Sequence, residues 1–351
     1  MVIRYGAAQM ATTSNLQRDA FRRAIYLVRE ICEIASAPSL IEDGRNELIR
    51  AGVVDAIQQH DDAKLFEWLL DAISFQGISD VVARRYMDVH GRVTHTEVTE
   101  ALSSLPKCAK LTSWWNFEGC GYRKWADNCN NHSLLRSCPL PKHDLRNANL
   151  NQAAYGLALF MRDIADGDFV GWLDGRLEQA DRAAKRARGK RLAAAVITPL
   201  SHVHALSSKV LSMSLATLLL SGDPSRERWQ AAGASMVAID SLVHNWLTRA
   251  GILRSLRASH PYGQRCYAEA GCAAIVEQIS RHIDAREFNA EFPKCFPRFV
   301  QHAIWRFCSQ SGLDECNGNR IDDSARCKRR DCELYASCAR VRLKQPSVTP
   351  I

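Results

Sequence analysis

The sequence predicts an all-α protein of two domains or one large one. Apolar residues recur at intervals of three and four along most of the chain, while alternating β-branched runs closed by Asn-Gly or Asp-Gly are almost absent. The 351 residues, 46% hydrophobic and 24% charged, are long and apolar enough for two cores and exclude a disordered chain. In residues 19–35 the side chains Phe21, Ile25, Leu27, Val28, Ile31 and Ile34 form one helical stripe. Residues 65–78 repeat the pattern with Phe66, Leu69, Leu70 and Ile73, and residues 153–169, 209–220 and 241–253 share the period. Two segments break it. Residues 104–147, rich in Cys, Trp, Asn and Pro, read as long loops, and beyond Leu313 cysteines and basic residues replace apolar ones. No internal repeat of solenoid length is visible.

Lys plus Arg number 46 against 38 for Asp plus Glu, giving a net charge of +8, which suits a polyanionic partner without requiring one. Residues 176–192 concentrate this excess, with seven Lys or Arg against two acidic residues; they read as a solvated helix face or as a phosphate contact. The start lacks the charged-then-apolar pattern of a leader. The longest apolar stretch, residues 210–220, is interrupted by Ser212 and Ser214 and is far short of the roughly 20 residues of a membrane span. The expectation is a cytoplasmic monomer, nucleoid-associated in a bacterium, with no membrane partner.

The 13 cysteines are an odd count with no secretory signal, which argues for thiols rather than a disulfide framework. Cys316, Cys327, Cys332 and Cys338 are spaced C-x10-C-x4-C-x5-C. Four thiolates in so short and polar a segment can fold around one metal centre, either tetrahedral zinc or a [4Fe–4S] cluster; the spacing does not separate the two. Arg326, Lys328, Arg329 and Arg330 surround the middle ligands. A possible second zinc site comprises Cys120, Cys129, Cys138 and His143, with Cys108 upstream and unassigned. Cys32, Cys266, Cys272, Cys295 and Cys308 lie among apolar or aromatic residues and read as buried thiols.

A cysteine cluster ending an all-α chain resembles the helix-hairpin-helix DNA glycosylases of the endonuclease III type. Further stretches are similar to that family in the order it requires. Residues 66–80, an apolar run through Ser74 and Gln76 to Asp80, resemble the family's early glutamine helix, and residues 119–124 resemble its Gly-x-Tyr-x-x-Lys stretch. Residues 203–210, Val-His-Ala-Leu-Ser-Ser-Lys-Val, resemble the Leu-Pro-Gly-Val-Gly-x-Lys hairpin, with Ala205 and Ser207 in place of its glycines and Lys209 on its lysine. A rival register places residues 200–204 on the same motif and moves Lys209 out of it. Residues 237–249 resemble the family's Val-Asp-Thr/Val-His segment, with Asp240 as the N-cap of a helix whose buried stripe is Leu242, Val243, Trp246 and Leu247. The longer interval between lysine and aspartate, residues 221–233, reads as a loop insertion. Residues 128–195 have no counterpart in the shorter members.

The resemblance implies a base-excision repair N-glycosylase with AP (β-elimination) lyase activity on double-stranded DNA carrying a damaged or modified base. It implies Lys209 as Schiff-base nucleophile, Asp240 as stabilising carboxylate, and a C-terminal [4Fe–4S] cluster. Gln76, Ala205, Ser207, Arg326, Lys328, Arg329 and Arg330 would contact DNA. The implied lobes comprise residues 1–60 packing with a cluster lobe of 240–345, a hairpin-bearing barrel of 61–239, and a tail of 346–351. Lys209 and Asp240 would face each other at their junction. Trp114, Trp115, Tyr122, Trp125 and Trp246 could stack on a flipped base, though each also reads as core. A non-catalytic iron–sulfur nucleic-acid-binding protein and a zinc-clip interaction protein remain the alternatives.

Overall fold

The computed structural model describes residues 3–74, 80–104, 108–123, 128–129, 151–182, 187–204 and 206–344. Among them the chain is predominantly helical. The helices are α1 (Ile3–Ala35), α2 (Leu40–Arg50), α3 (Val53–Gln59), α4 (Asp62–Ser74), α5 (Asp80–His90), α6 (His95–Ser103), α7 (Trp114–Phe117), α8 (Asn151–Asp163) and α9 (Phe169–Asp181). They continue as α10 (Arg188–Leu200), α11 (Ser208–Ser221), α12 (Glu227–Ala234), α13 (Ser241–Arg249), α14 (Ile252–Ser255), α15 (Cys272–Ser280) and α16 (Pro297–Cys308). One short antiparallel hairpin, β1 (Tyr122–Arg123) with β2 (Asn128–Cys129), interrupts them.

The chain divides into two compact units, Met1–Leu40 with Val237–Ile351, and Ile41–Met236. The breaks fall after residues 40 and 236, so residues 41–60, expected with the cluster lobe, belong to the second unit. In the first unit α1 packs on α14, α15 and α16. Its stripe of Ala24, Leu27, Val28, Ile31, Cys32 and Ala35 is buried, as is the facing stripe of α16, Phe299, Val300, Ala303, Ile304, Phe307 and Cys308. Pro297 opens α16, where its missing N–H leaves nothing unsatisfied. The segment after α16 is irregular.

In the second unit α4 is central, packing on α3, α6, α8, α9 and α11 through Leu65, Phe66, Leu69, Leu70 and Ile73. A capping box starts α6, with Glu97 N donating to Thr94 Oγ1 and Thr94 N donating to Glu97 Oε2 at 2.8 Å. Residues 153–169 are not one helix: left-handed Asp166 (φ 55°) and Gly167 (φ 67°) turn the chain, and Asp168 caps α9 by accepting from Gly171 N. Residues 241–253 break likewise at Gly251 (φ 80°), between α13 and α14.

The expected loop at residues 221–233 is instead largely α12. Gly222 and Pro224 do lie in the turn between α11 and α12, but the helix resumes at Glu227: Trp229 and Ala232 are buried, and a Cβ on Gly233 would sit 2.8 Å from Leu220 Cγ, so α12 packs closely on α11. The described part of the 128–195 insertion is also no appendage: α8 buries Tyr155, Leu157, Leu159 and Phe160. Described cations of the basic run at 176–192 are paired. Arg188 bridges Asp181 and Glu227, both at 2.6 Å, and Arg191 Nε donates to Ala180 O.

Candidate functional site

The tail cysteines converge. Cys316, Cys327, Cys332 and Cys338 line one small cavity whose walls include Trp246, Phe307, Ile321 and Leu334, with Arg249, Arg329 and Arg340 on its border. Buried Asn317 builds the approach: its side-chain amide donates to Cys308 O (2.7 Å) and to Asp314, and its Oδ1 accepts from Asn319 N (2.9 Å). Two tight turns then present the last thiols, with Tyr335 N donating to Cys332 O and Cys338 N to Leu334 O. The amide two residues on donates to each of these sulfurs: Leu334 N to Cys332 and Arg340 N to Cys338, the latter at 3.4 Å. Such N–H groups favour a thiolate.

Burial pushes the Cys332 thiol up to about 11 and also raises Cys338. The thiol of Cys308 donates to Cys316 and, with Arg249 and Arg329, holds Cys316 below the usual thiol range; burial raises Cys308 itself. Arg249 is only 2% exposed and reaches Asp323 Oδ1 at 2.5 Å through Nη2. Its Nη1, like Nε of Arg340, is buried without a hydrogen-bond partner. Two orphaned cationic donors bordering four thiols make a soft-ligand pocket suited to negative charge.

A second group was not legible as a site. His244, His260, Cys266 and Cys272 bring their ligand atoms within 4.8 Å of one another and could hold a metal ion. Cys272 Sγ lies 3.4 Å from both His244 Nδ1 and His260 Nε2, and Cys266 Sγ lies 3.6 Å from His244 Nδ1. Cys266 and Cys272 are buried, as expected, but beside imidazoles rather than in a purely apolar core. Burial, and then His260, push His244 down to about 4. Cys295 departs from its expected burial and is exposed, whereas Cys32 and Cys308 are buried.

In the hairpin, Cys120 stands near Cys108 and Cys129, and Tyr122 N and the Gln152 side chain donate to its sulfur, although burial raises the thiol overall. Tyr122 pairs with Cys129 across β1 and β2. Cys138 and His143, the other expected ligands, lie outside the described residues, as do Gln76, Trp125 and Ala205.

Lys209 is the second residue of α11, the place the first hairpin register requires, and is half-buried. Val203 and Leu206 are buried beneath the preceding turn, and exposed Ser207 caps α11 through Val210 N at 3.4 Å. Asp240 caps α13: its Oδ1 accepts from Val243 N at 2.9 Å. Tyr267 Oη accepts from Ile239 N at 2.9 Å and Gln301 Oε1 from Ala238 N at 3.4 Å, fixing the backbone that leads to the cap. Lys209 belongs to the second unit and Asp240 to the first. Trp114 and Trp246 are buried, while Trp115 is 65% exposed. Arg326, Lys328 and Arg330 are exposed; Arg329 is half-buried and paired with Glu315 and Asp331.

No protein-family model, curated protein or solved structure matches the chain. Among the described residues no helix is long and apolar enough to cross a membrane.

Proposed function

We propose that the chain is a DNA N-glycosylase with AP lyase activity that acts on a damaged or modified base in duplex DNA. The observation that carries the reading is the convergence of the four tail cysteines on one cavity, in a sequence that also bears a hairpin lysine and a helix-capping aspartate in the order described. The tail set would hold a [4Fe–4S] cluster. The orphaned donors of Arg249 and Arg340 would meet its sulfides. Such a cluster would supply shape rather than redox chemistry, stiffening a loop whose Arg326, Lys328 and Arg330 face solvent and would lie along the DNA backbone.

In the proposed reaction the Lys209 amine forms a bond to C1′ of deoxyribose as the bond from C1′ to the base breaks and the base leaves with a proton. The Asp240 carboxylate stabilises the positive charge that develops on the sugar. Opening of the sugar ring gives a Schiff base; loss of a C2′ proton then expels the 3′ phosphate, and hydrolysis frees Lys209. The target base must leave the stack, at a cost of a few kcal/mol. Gln76 would fill the gap.

Borohydride trapping tests the proposal. Wild-type protein should form a covalent adduct with a duplex from a panel of lesions and abasic sites, and Lys209→Ala should not. If every substrate gives neither adduct nor free base, the enzyme reading fails. Retained salt-sensitive duplex binding would then favour a non-catalytic scaffold, consistent with Ala205 and Ser207 replacing the hairpin glycines. Anaerobically purified protein should be brown and contain iron; a colourless, iron-free protein would remove the cluster.

A further inference from the structure

We infer that His244, His260, Cys266 and Cys272 form a closed structural zinc site that pins the start of α13. The site is distinct from the proposed cluster and does not depend on the proposed reaction. With Zn–S near 2.3 Å and Zn–N near 2.0–2.1 Å, tetrahedral coordination separates a sulfur and a nitrogen ligand by about 3.5–3.6 Å. Three of the four S···N distances here are 3.4, 3.6 and 3.4 Å, and all four ligand atoms lie within 4.8 Å of one another.

His244 Nδ1 faces both sulfurs but carries at most one proton to donate. His260 Nδ1 is 2.8 Å from Pro261 O, a carbonyl that can only accept, so the proton of the neutral ring sits there and Nε2 turns a lone pair toward Cys272. A carbonyl orienting the far nitrogen is the usual support of a metal-bound histidine. A divalent ion between two thiolates and two neutral imidazoles gives a centre of zero net charge, which suits burial. Thiolate and imidazole together favour zinc over magnesium or calcium, and four protein ligands leave no position for substrate.

The local chain is shaped to close the set. The ligands come from α13, the segment before Pro261, the 3-10 turn Gln264–Tyr267 and the first residue of α15. A Cβ on Gly271 would lie 2.3 Å from Arg265 O and 2.6 Å from Cys266 O, so only glycine lets the strand of chain before Cys272 pass this close to Cys266. Tyr267, next to Cys266, holds Ile239 N, and His244 lies one turn into α13. The ion would therefore grip the backbone on both sides of Asp240.

Elemental analysis of the full chain, expressed with zinc and purified anaerobically, decides this without DNA. Cys120→Ser protein, with the hairpin set broken, should retain one zinc per chain, and X-ray absorption at the zinc edge should give a shell of two sulfurs and two nitrogens. Adding Cys272→Ser or, separately, His260→Ala should remove that zinc while the iron content stays. Zinc-free Cys120→Ser protein, a shell of four sulfurs, or zinc unchanged by both further substitutions would overturn the inference. Should both further variants fail to fold, the absorption shell of the folded Cys120→Ser protein alone decides it.

Discussion

Asp240 can serve two roles that a pair of substitutions separates. As an N-cap its Oδ1 accepts from Val243 N, a bond that asparagine can also accept and alanine cannot. As a charge stabiliser it must be a carboxylate. Asp240→Ala should therefore lose about 1 kcal/mol of stability together with activity, the usual cost of removing a cap. Asp240→Asn should unfold within a few tenths of a kcal/mol of wild type yet release base far more slowly. Urea denaturation alongside single-turnover base release checks both. Equal activity in wild type and Asp240→Asn would leave the residue only its cap. Its capping position is legible in the sequence because Asp before an apolar 3.6-residue stripe has one strong local use. The neighbouring imidazole is not: His244 lies on the same helix, but its partners Cys266 and Cys272 come from a turn and another helix start, at spacings unlike the short knuckles by which zinc sites are read.

At the scale of elements, periodicity located α1, which buries a single stripe, and also α11, which is buried on most of its faces. It misplaced ends where one turn outweighs the pattern, as at Asp166 and Gly167, and it missed α12, because the turn signals Gly222 and Pro224 end before Glu227 and Trp229 then packs as helix. The junction of α9 and α10 makes an electrostatic prediction. Hydrogen bonds from Arg188, and then Arg228, hold the Asp181 carboxyl down to about 2 from an ordinary 3.8. Because the folded value is depressed, the stabilisation is fully present above pH 3.8 and is lost as pH falls toward 2. Asp181 is exposed enough that added salt should weaken the effect. Wild type should thus be more stable than Asp181→Asn at pH 5, with the difference shrinking as pH falls through 2. Chemical denaturation at stepped pH measures this, and a constant difference across that window would assign the loss to packing rather than charge.

For the whole molecule, the consequence lies in how the metal-competent groups are distributed. The tail thiols and the His244 group both belong to the unit of Met1–Leu40 and Val237–Ile351, where the chain after α16 has little apolar core of its own. The unit of Ile41–Met236 rests instead on the packed helices α4, α8 and α11, and carries the expected set of Cys120, Cys129, Cys138 and His143. Ligand binding to the folded state adds its free energy to that state alone, so an unpacked segment depends on it most. Removing metal by chelation, with oxidation of any cluster, should therefore loosen the two units unequally. Hydrogen exchange should speed first in residues 313–344 and 256–272, with α13 following as His244 loses its partners. Amides of α4, α8 and α11 should keep their protection, because no ligand candidate lies on them and their buried stripes remain intact. Uniform loss of protection across both units would mean that the bound metals stabilise a single cooperative fold; no change in residues 313–344 would mean that the tail is held by its hydrogen bonds, such as Leu343 N to Asp323 O at 2.8 Å, without any metal.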